Sequence, residues 1–74
     1  MEEQIESDFD AATQELRFGD FEQGRAALLE LADTYPVSEY TESSYIVIAD
    51  TYRLRNNDPN AALKYYQEFL EKFP

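Results

Sequence analysis

Residues 20–36 read DFEQGRAALLELADTYP, and residues 58–74 read DPNAALKYYQEFLEKFP, the same pattern 38 positions later. In the first copy Phe21, Gly24, Leu28, Leu31 and Tyr35 are spaced 3, 4, 3, 4. Pro59, Ala62, Tyr66, Phe69 and Phe73 repeat that spacing, and Asp33 and Glu71 each stand three residues before a closing proline. Steps of three and four put these positions on one face of a helix. A helical unit duplicated at this period predicts a stacked helical repeat, which presents surfaces to other molecules.

Two further helices are predicted around the duplicated pair. The first runs from about Glu2 to Phe18, with Ile5, Phe9, Ala12 and Leu16 as its inward stripe. Gly19 is expected to end it in the left-handed conformation, and Asp20 to cap the second helix with Gln23 in a variant capping box. Pro36 stops that helix near Tyr35. Ser38 is the expected cap of the third helix, which runs to about Arg55. Tyr45, Ile48, Ala49 and Tyr52 form one apolar side of it and Tyr40, Val47, Thr51 and Leu54 another, so it is expected to lie between neighbours. Asn56-Asn57 breaks it, because Asn tolerates the left-handed region. Asp58 and Pro59 then start the fourth helix as cap and first residue. Short connections predict antiparallel hairpins. Two heptads interrupted by prolines are too few for a coiled coil.

The expected fold is therefore all-α, one domain over residues 1–74, with two antiparallel hairpins (about 2–36 and 38–74) stacked as a short solenoid.

Composition narrows the function. With no His and no Cys among 74 residues, zinc chemistry and Ser-His or Cys-His catalysis are excluded. Asp8 and Asp10, and the run Asn56–Asn60, fail as a calcium loop: the sixth and twelfth positions from Asn56 are Ala61 and Gln67, not Gly and Glu. Glu2, Glu3 and Glu6 complement the positive end of the first helix. No paired carboxylate has an apolar setting that suits acid–base work, so the chain is expected to be no enzyme and to carry no cofactor or metal.

Residues 1–42 hold twelve acids and two bases, a net charge of −10, whereas residues 43–74 are neutral. That sign disfavours nucleic acid. It leaves open a solvated face, a docking surface for a basic partner, or a surface for the neutral half of another copy. No apolar run is long enough to insert into a bilayer, and no basic leader is visible.

The third and fourth helices resemble a tetratricopeptide repeat. Tyr45, Ile48-Ala49 and Tyr52 match its first helix, and Ala62, Tyr66 and Pro74 its second. Phe9, Ala12-Thr13 and Leu16, with Gly24, Leu28 and Pro36, make a looser first unit. Leu31 and Phe69 depart from the pattern, being large where the family is small. LADTYPVSEY (residues 31–40) and YQEFLEKFP (residues 66–74) are similar to a bacterial envelope subgroup. It includes the periplasmic repeat protein of the Tol–Pal system and the repeat lipoprotein of outer-membrane barrel assembly.

That resemblance implies a non-catalytic protein-interaction scaffold, in the periplasm or at the outer membrane. It implies a binding groove lined by Ser7, Asp10, Gln14 and Arg17 of the first helix and by Ser43, Ile46, Asp50 and Arg53 of the third. Two repeats leave the outer face of the second hairpin uncovered, so either the chain is a fragment of a longer array or a second copy covers that face; the expectation is that Leu63, Tyr65 and Leu70 form a self-association patch and the chain a homo-oligomer. Tyr40 is a second aromatic expected to make exposed contacts. Two rival roles stand beside this one: a structural subunit whose self-assembly is its function, and an acidic accessory domain of an enzyme.

Overall fold

Three short side chains fix where α2, α3 and α4 begin. Asp20 accepts the Gln23 N–H at 3.1 Å, and Asp58 accepts the Ala61 N–H at 3.1 Å. Ser38 accepts from Tyr40 and Thr41, while the Thr41 hydroxyl takes the Ser38 N–H at 2.8 Å, closing a full capping box. Each cap satisfies a donor that has no partner within its own helix. The computed structural model describes residues 2–74, with side chains from Gln4 onward, so the side chains of Glu2 and Glu3 lie outside the described residues. The elements are α1 (Glu2–Phe18), α2 (Phe21–Thr34), α3 (Glu39–Leu54) and α4 (Pro59–Lys72), with no strand among the described residues.

The turn between α1 and α2 departs from expectation in two ways. Gly19 does not adopt a positive φ; the one left-handed residue described is Asn57, at φ 52°. The α1 terminus has another solution, supplied by the far end of α3. The Arg55 guanidinium donates to the carbonyls of Leu16 at 2.6 Å and Gly19 at 2.9 Å. Carbonyls left open at the end of a helix are satisfied there by a cation, which also suits the negative end of the helix dipole. The reciprocal half of the Asp20–Gln23 box is also missing. Glu15 takes the Asp20 N–H at 2.9 Å, because a two-residue turn brings the last turn of α1 closer than the Gln23 side chain.

Contacts at the helix ends set the directions. Tyr35, after α2, donates to Asp8 near the start of α1 at 2.8 Å, so these helices run antiparallel. Arg55 joins the ends of α1 and α3, which are parallel. Lys72 near the end of α4 reaches Asp33 near the end of α2 at 2.7 Å, so those two are parallel as well. α3 packs on α1, α2 and α4, the central position its two apolar sides predict.

Leu16, Leu28 and Ile48 are fully buried where α1, α2 and α3 meet, with Ala12 beside them. Phe9, Phe21, Leu29, Val47, Tyr52 and Tyr65 close round this centre. Of the two large residues that break the repeat pattern, Leu31 is buried and Phe69 half-buried. Leu54 differs from expectation: it is 73% exposed, beside the equally exposed Phe18, because both lie in the last turns of α1 and α3 beyond the core.

Three polar side chains are buried on α3. Thr41, Ser44 and Thr51 donate to the carbonyls of Ser38, Tyr40 and Val47 at 3.0, 2.8 and 2.7 Å. Such local bonding lets small polar residues enter an interface without stranding a hydroxyl.

At Gly24 the backbones of α1 and α2 come close together. A Cβ there would lie 2.4 Å from the Leu16 nitrogen and 2.5 Å from its Cα, so only hydrogen fits between the two backbones. At Gly19 a Cβ would meet only the far end of the Glu15 side chain, at 2.8 Å. Gly24→Ala is expected to destabilise the fold by about 1–3 kcal/mol through overpacking, despite the better helix propensity of Ala. Gly19→Ala is expected to change stability by less than about 0.5 kcal/mol. Urea unfolding of the two variants checks this, and equal midpoints would show that the α1–α2 crossing is not the tight point.

Candidate interaction site

The residues expected to line a groove form one stripe on α1 and one on α3, each facing away from the core at steps of 3, 4 and 3. On α1, Ser7, Asp10, Gln14 and Arg17 are all exposed. On α3, Ser43, Ile46 and Asp50 are half-buried and only Arg53 is exposed. The difference comes from α4. Tyr66 leans across α3 and donates its phenol hydrogen to Asp50, which also lies 3.9 Å from Arg53. The hydrogen bond to Asp50 holds the Tyr66 phenol above its ordinary pKa, and Arg53 opposes it. Sequence reading missed this triad, because the separation of sixteen positions between Asp50 and Tyr66 hides that they face each other.

The α1 stripe ends at a recess of about 230 Å³ lined by Arg17, Phe18, Thr51, Leu54 and Arg55, beside the last turn of α3. Two exposed apolar side chains stand there among arginines, on a protein whose net charge is −10. On the far side of the first hairpin a wider depression, about 530 Å³, runs between α1 and α2. Ala11, Ala12, Ala27 and Leu31 line its apolar part, and Asp8, Glu15 and Glu30 its acidic part. Alanines at 11 and 27, outside the large-residue stripes, were the available sequence signal for it.

The expected self-association patch is only partly exposed. Leu63 and Leu70 on α4 are 56% and 66% accessible. Tyr65 is not: it is half-buried between the hairpins. Its ring lies 5.5 Å from Tyr52, nearly parallel, and its hydroxyl accepts from Arg25 at 3.2 Å. Its position beside the apolar stripe turned out to be the inter-hairpin seam. Arg25 is held above its ordinary pKa, first by Glu22 and then by Tyr65. Tyr40 is likewise half-buried, with its ring 5.6 Å from Phe9.

No group of three metal-binding side chains occurs among the described residues, nor any helix long and apolar enough to cross a membrane. Paired antiparallel hairpins, crossing at small residues and leaving polar outer stripes, define a tetratricopeptide-like helical-repeat scaffold. The family model of the YfiO outer membrane lipoproteins matches residues 1–74, and the chain belongs to that family. Of the two envelope proteins its sequence resembles, the repeat lipoprotein of outer-membrane assembly is the one this match supports. No curated protein and no solved structure matches the chain.

Three tyrosines share one direction of shift. Asp8 raises Tyr35, burial raises Tyr52 and Asp50 raises Tyr66. A raised folded pKa means the folded state holds the proton more tightly, so this stabilisation is complete below the ordinary tyrosine value of 10.0. It is lost as pH rises through the folded values. The tyrosine contribution to stability is expected to be constant below that value and to fall above it, and Tyr66→Phe should make the fall shallower. Urea midpoints across the alkaline range test this, and an unchanged slope in Tyr66→Phe would refute the assignment to Asp50.

Proposed function

We propose that this chain is a non-catalytic interaction module of a bacterial envelope assembly, engaging a protein segment along the outer stripes of α1 and α3. The observation that carries the reading is the recess at the end of the α1 stripe, beside the last turn of α3. Exposed Phe18 and Leu54 offer apolar contact there, and Arg17 is at hand for a carboxylate or carbonyl of the bound segment. An exposed aromatic and an arginine at one spot are the residue types that dominate interface energetics. Along the stripes Asp10 and Asp50 add acceptors, and Gln14 and Ser43 neutral hydrogen-bonding groups.

The acidic half of the molecule bears on the partner's charge. A net −10 over residues 1–42 draws a basic segment toward α1 by long-range attraction, with the short-range contacts fixing its register. Association should then slow as salt is added, since the screening length is about 10 Å at 0.1 M ionic strength.

Photo-crosslinking residues placed at Gln14 and Ser43, compared with controls at Lys64 and Glu71 on α4, test the reading in isolated envelopes. The expected outcome is a discrete crosslinked band from Gln14 and Ser43 that weakens with salt and is absent from the α4 positions. Equal crosslinking from both faces, or none from α1 and α3, would sink it.

A further inference from the structure

Residues 35–40, which join the two hairpins, wall a cavity of about 490 Å³ together with Ile5 and Glu6 near the start of α1. The cavity is built on a connection internal to the chain, at the edge where one hairpin passes to the next. Ile5, only 6% exposed, gives it a buried apolar side, while Pro36 and the 73% exposed Val37 stand where it opens to solvent. Tyr35 and Tyr40 are half-buried in its walls and are held from outside it. Tyr35 donates to Asp8 at 2.8 Å, and the Tyr40 ring lies 5.6 Å from that of Phe9. Walls fixed in this way are in place before anything binds, which lowers the ordering cost of binding.

Charge at the cavity is one-sided. Glu6 and Glu39 line it and are exposed, and among the described residues neither makes a hydrogen bond or ion pair. No base lines it. Lys72, in the last turn of α4 at the same end of the stack, is already engaged by Asp33 and Tyr45. All four arginines of the chain lie toward the other end of their helices. Two carboxylates without a counter-ion therefore stand beside an apolar cavity that carries two tyrosine rings. The side chain that complements both features has an aliphatic stem and a cationic head, as Lys and Arg do. The electron-rich faces of the rings favour the same head.

We propose that this cavity receives a basic side chain of a partner protein, a Lys or Arg flanked by apolar residues. Its stem lies against Val37 and the tyrosine rings, and its charged head turns toward Glu6 and Glu39. Exposed ion pairs alone contribute little, so the apolar contact must supply the selectivity. This goes beyond the proposed groove binding: the cavity lies at the opposite end of α1 from the recess of Arg17 and Phe18, and it does not require the groove to be occupied.

Amide NMR of the protein, titrated with a short blocked peptide of alternating valine and lysine, tests the proposal. One control peptide carries glutamate for lysine, and another serine for valine. Saturable shifts are expected at the amides of Ile5, Glu6, Val37, Glu39 and Tyr40, with both controls binding at least about tenfold more weakly. Glu6→Gln combined with Glu39→Gln should weaken the valine–lysine peptide about fivefold, as should Val37→Ser, which leaves the charges in place. All three positions are exposed, and Ser38 and Thr41 close the α3 cap without Glu39, so the variants should keep the parent's melting curve. Equal binding of the serine peptide would overturn the proposal, because it would mean charge attraction without a pocket. So would shifts spread over all the acidic residues, or no saturable shift at all. Shifts centred on Phe18 and Leu54 would also overturn it while leaving the groove reading intact. Crosslinking at Gln14 and Ser43 reads the groove separately, so either can fail alone.

Discussion

Two helix backbones touch where Gly24 of α2 crosses Leu16 of α1, and the rest of the fold is arranged around that contact. A crossing this close leaves no room for a side chain, which is why α2 presents hydrogen there and a Leu one turn later. It brings Leu16 and Leu28 together at the floor of the first hairpin, and Ile48 of α3 drops onto both. The second hairpin uses a methyl at the corresponding place, Ala62, which is 2% exposed. Interiors packed at crystal-like density tolerate few changes of volume at such points. A helical repeat is in this sense a rule about where small residues fall, with large ones free to vary around them.

Polar groups as well as apolar ones join the hairpins, but unequally. Arg55 reaches from the end of α3 to close the end of α1, a charge-assisted pair of bonds to carbonyls that otherwise have no partner. The Arg25–Tyr65 bond lies in a partly buried seam between stacked rings, where loss of one partner leaves the other desolvated. The Lys72–Asp33 bridge is of another kind. Its Asp33 side chain is 70% exposed, and exposed ion pairs contribute about 0–1 kcal/mol. The bridge marks the parallel course of α2 and α4 more than it stabilises it.

Function in such a scaffold resides in surfaces, and this chain divides them sharply. Its acidic half contains the α1–α2 depression; its neutral half carries the exposed leucines of α4; the recess of Arg17, Phe18 and Leu54 lies where α1 and α3 end together. The chain belongs to a family of outer membrane lipoproteins, and its outer surface carries polar stripes and apolar edges. Charge asymmetry along one small domain makes its two halves electrostatically distinct.

The helices, their caps and their buried stripes were legible in the residues because each depends on neighbours three or four positions away. Asp20, Ser38 and Asp58 cap where their side chains allow, and Ile5, Ala12, Leu16, Leu28 and Ile48 are buried as their spacing requires. Gly19, Gln23, Leu54 and Tyr65 behaved otherwise, and for all but Leu54 a distant or cross-turn group intervened. Arg55 closed the helix that Gly19 was expected to end; Glu15 took the N–H expected to bond Gln23; the outermost turns left Leu54 in water; Arg25 and Tyr52 enclosed Tyr65. Local periodicity determined which residues are helical and which way they face. Only the tertiary packing decided what each face meets, because contacts between residues tens of positions apart depend on how helices cross, and that is set by backbone approach at Gly24 and Leu16.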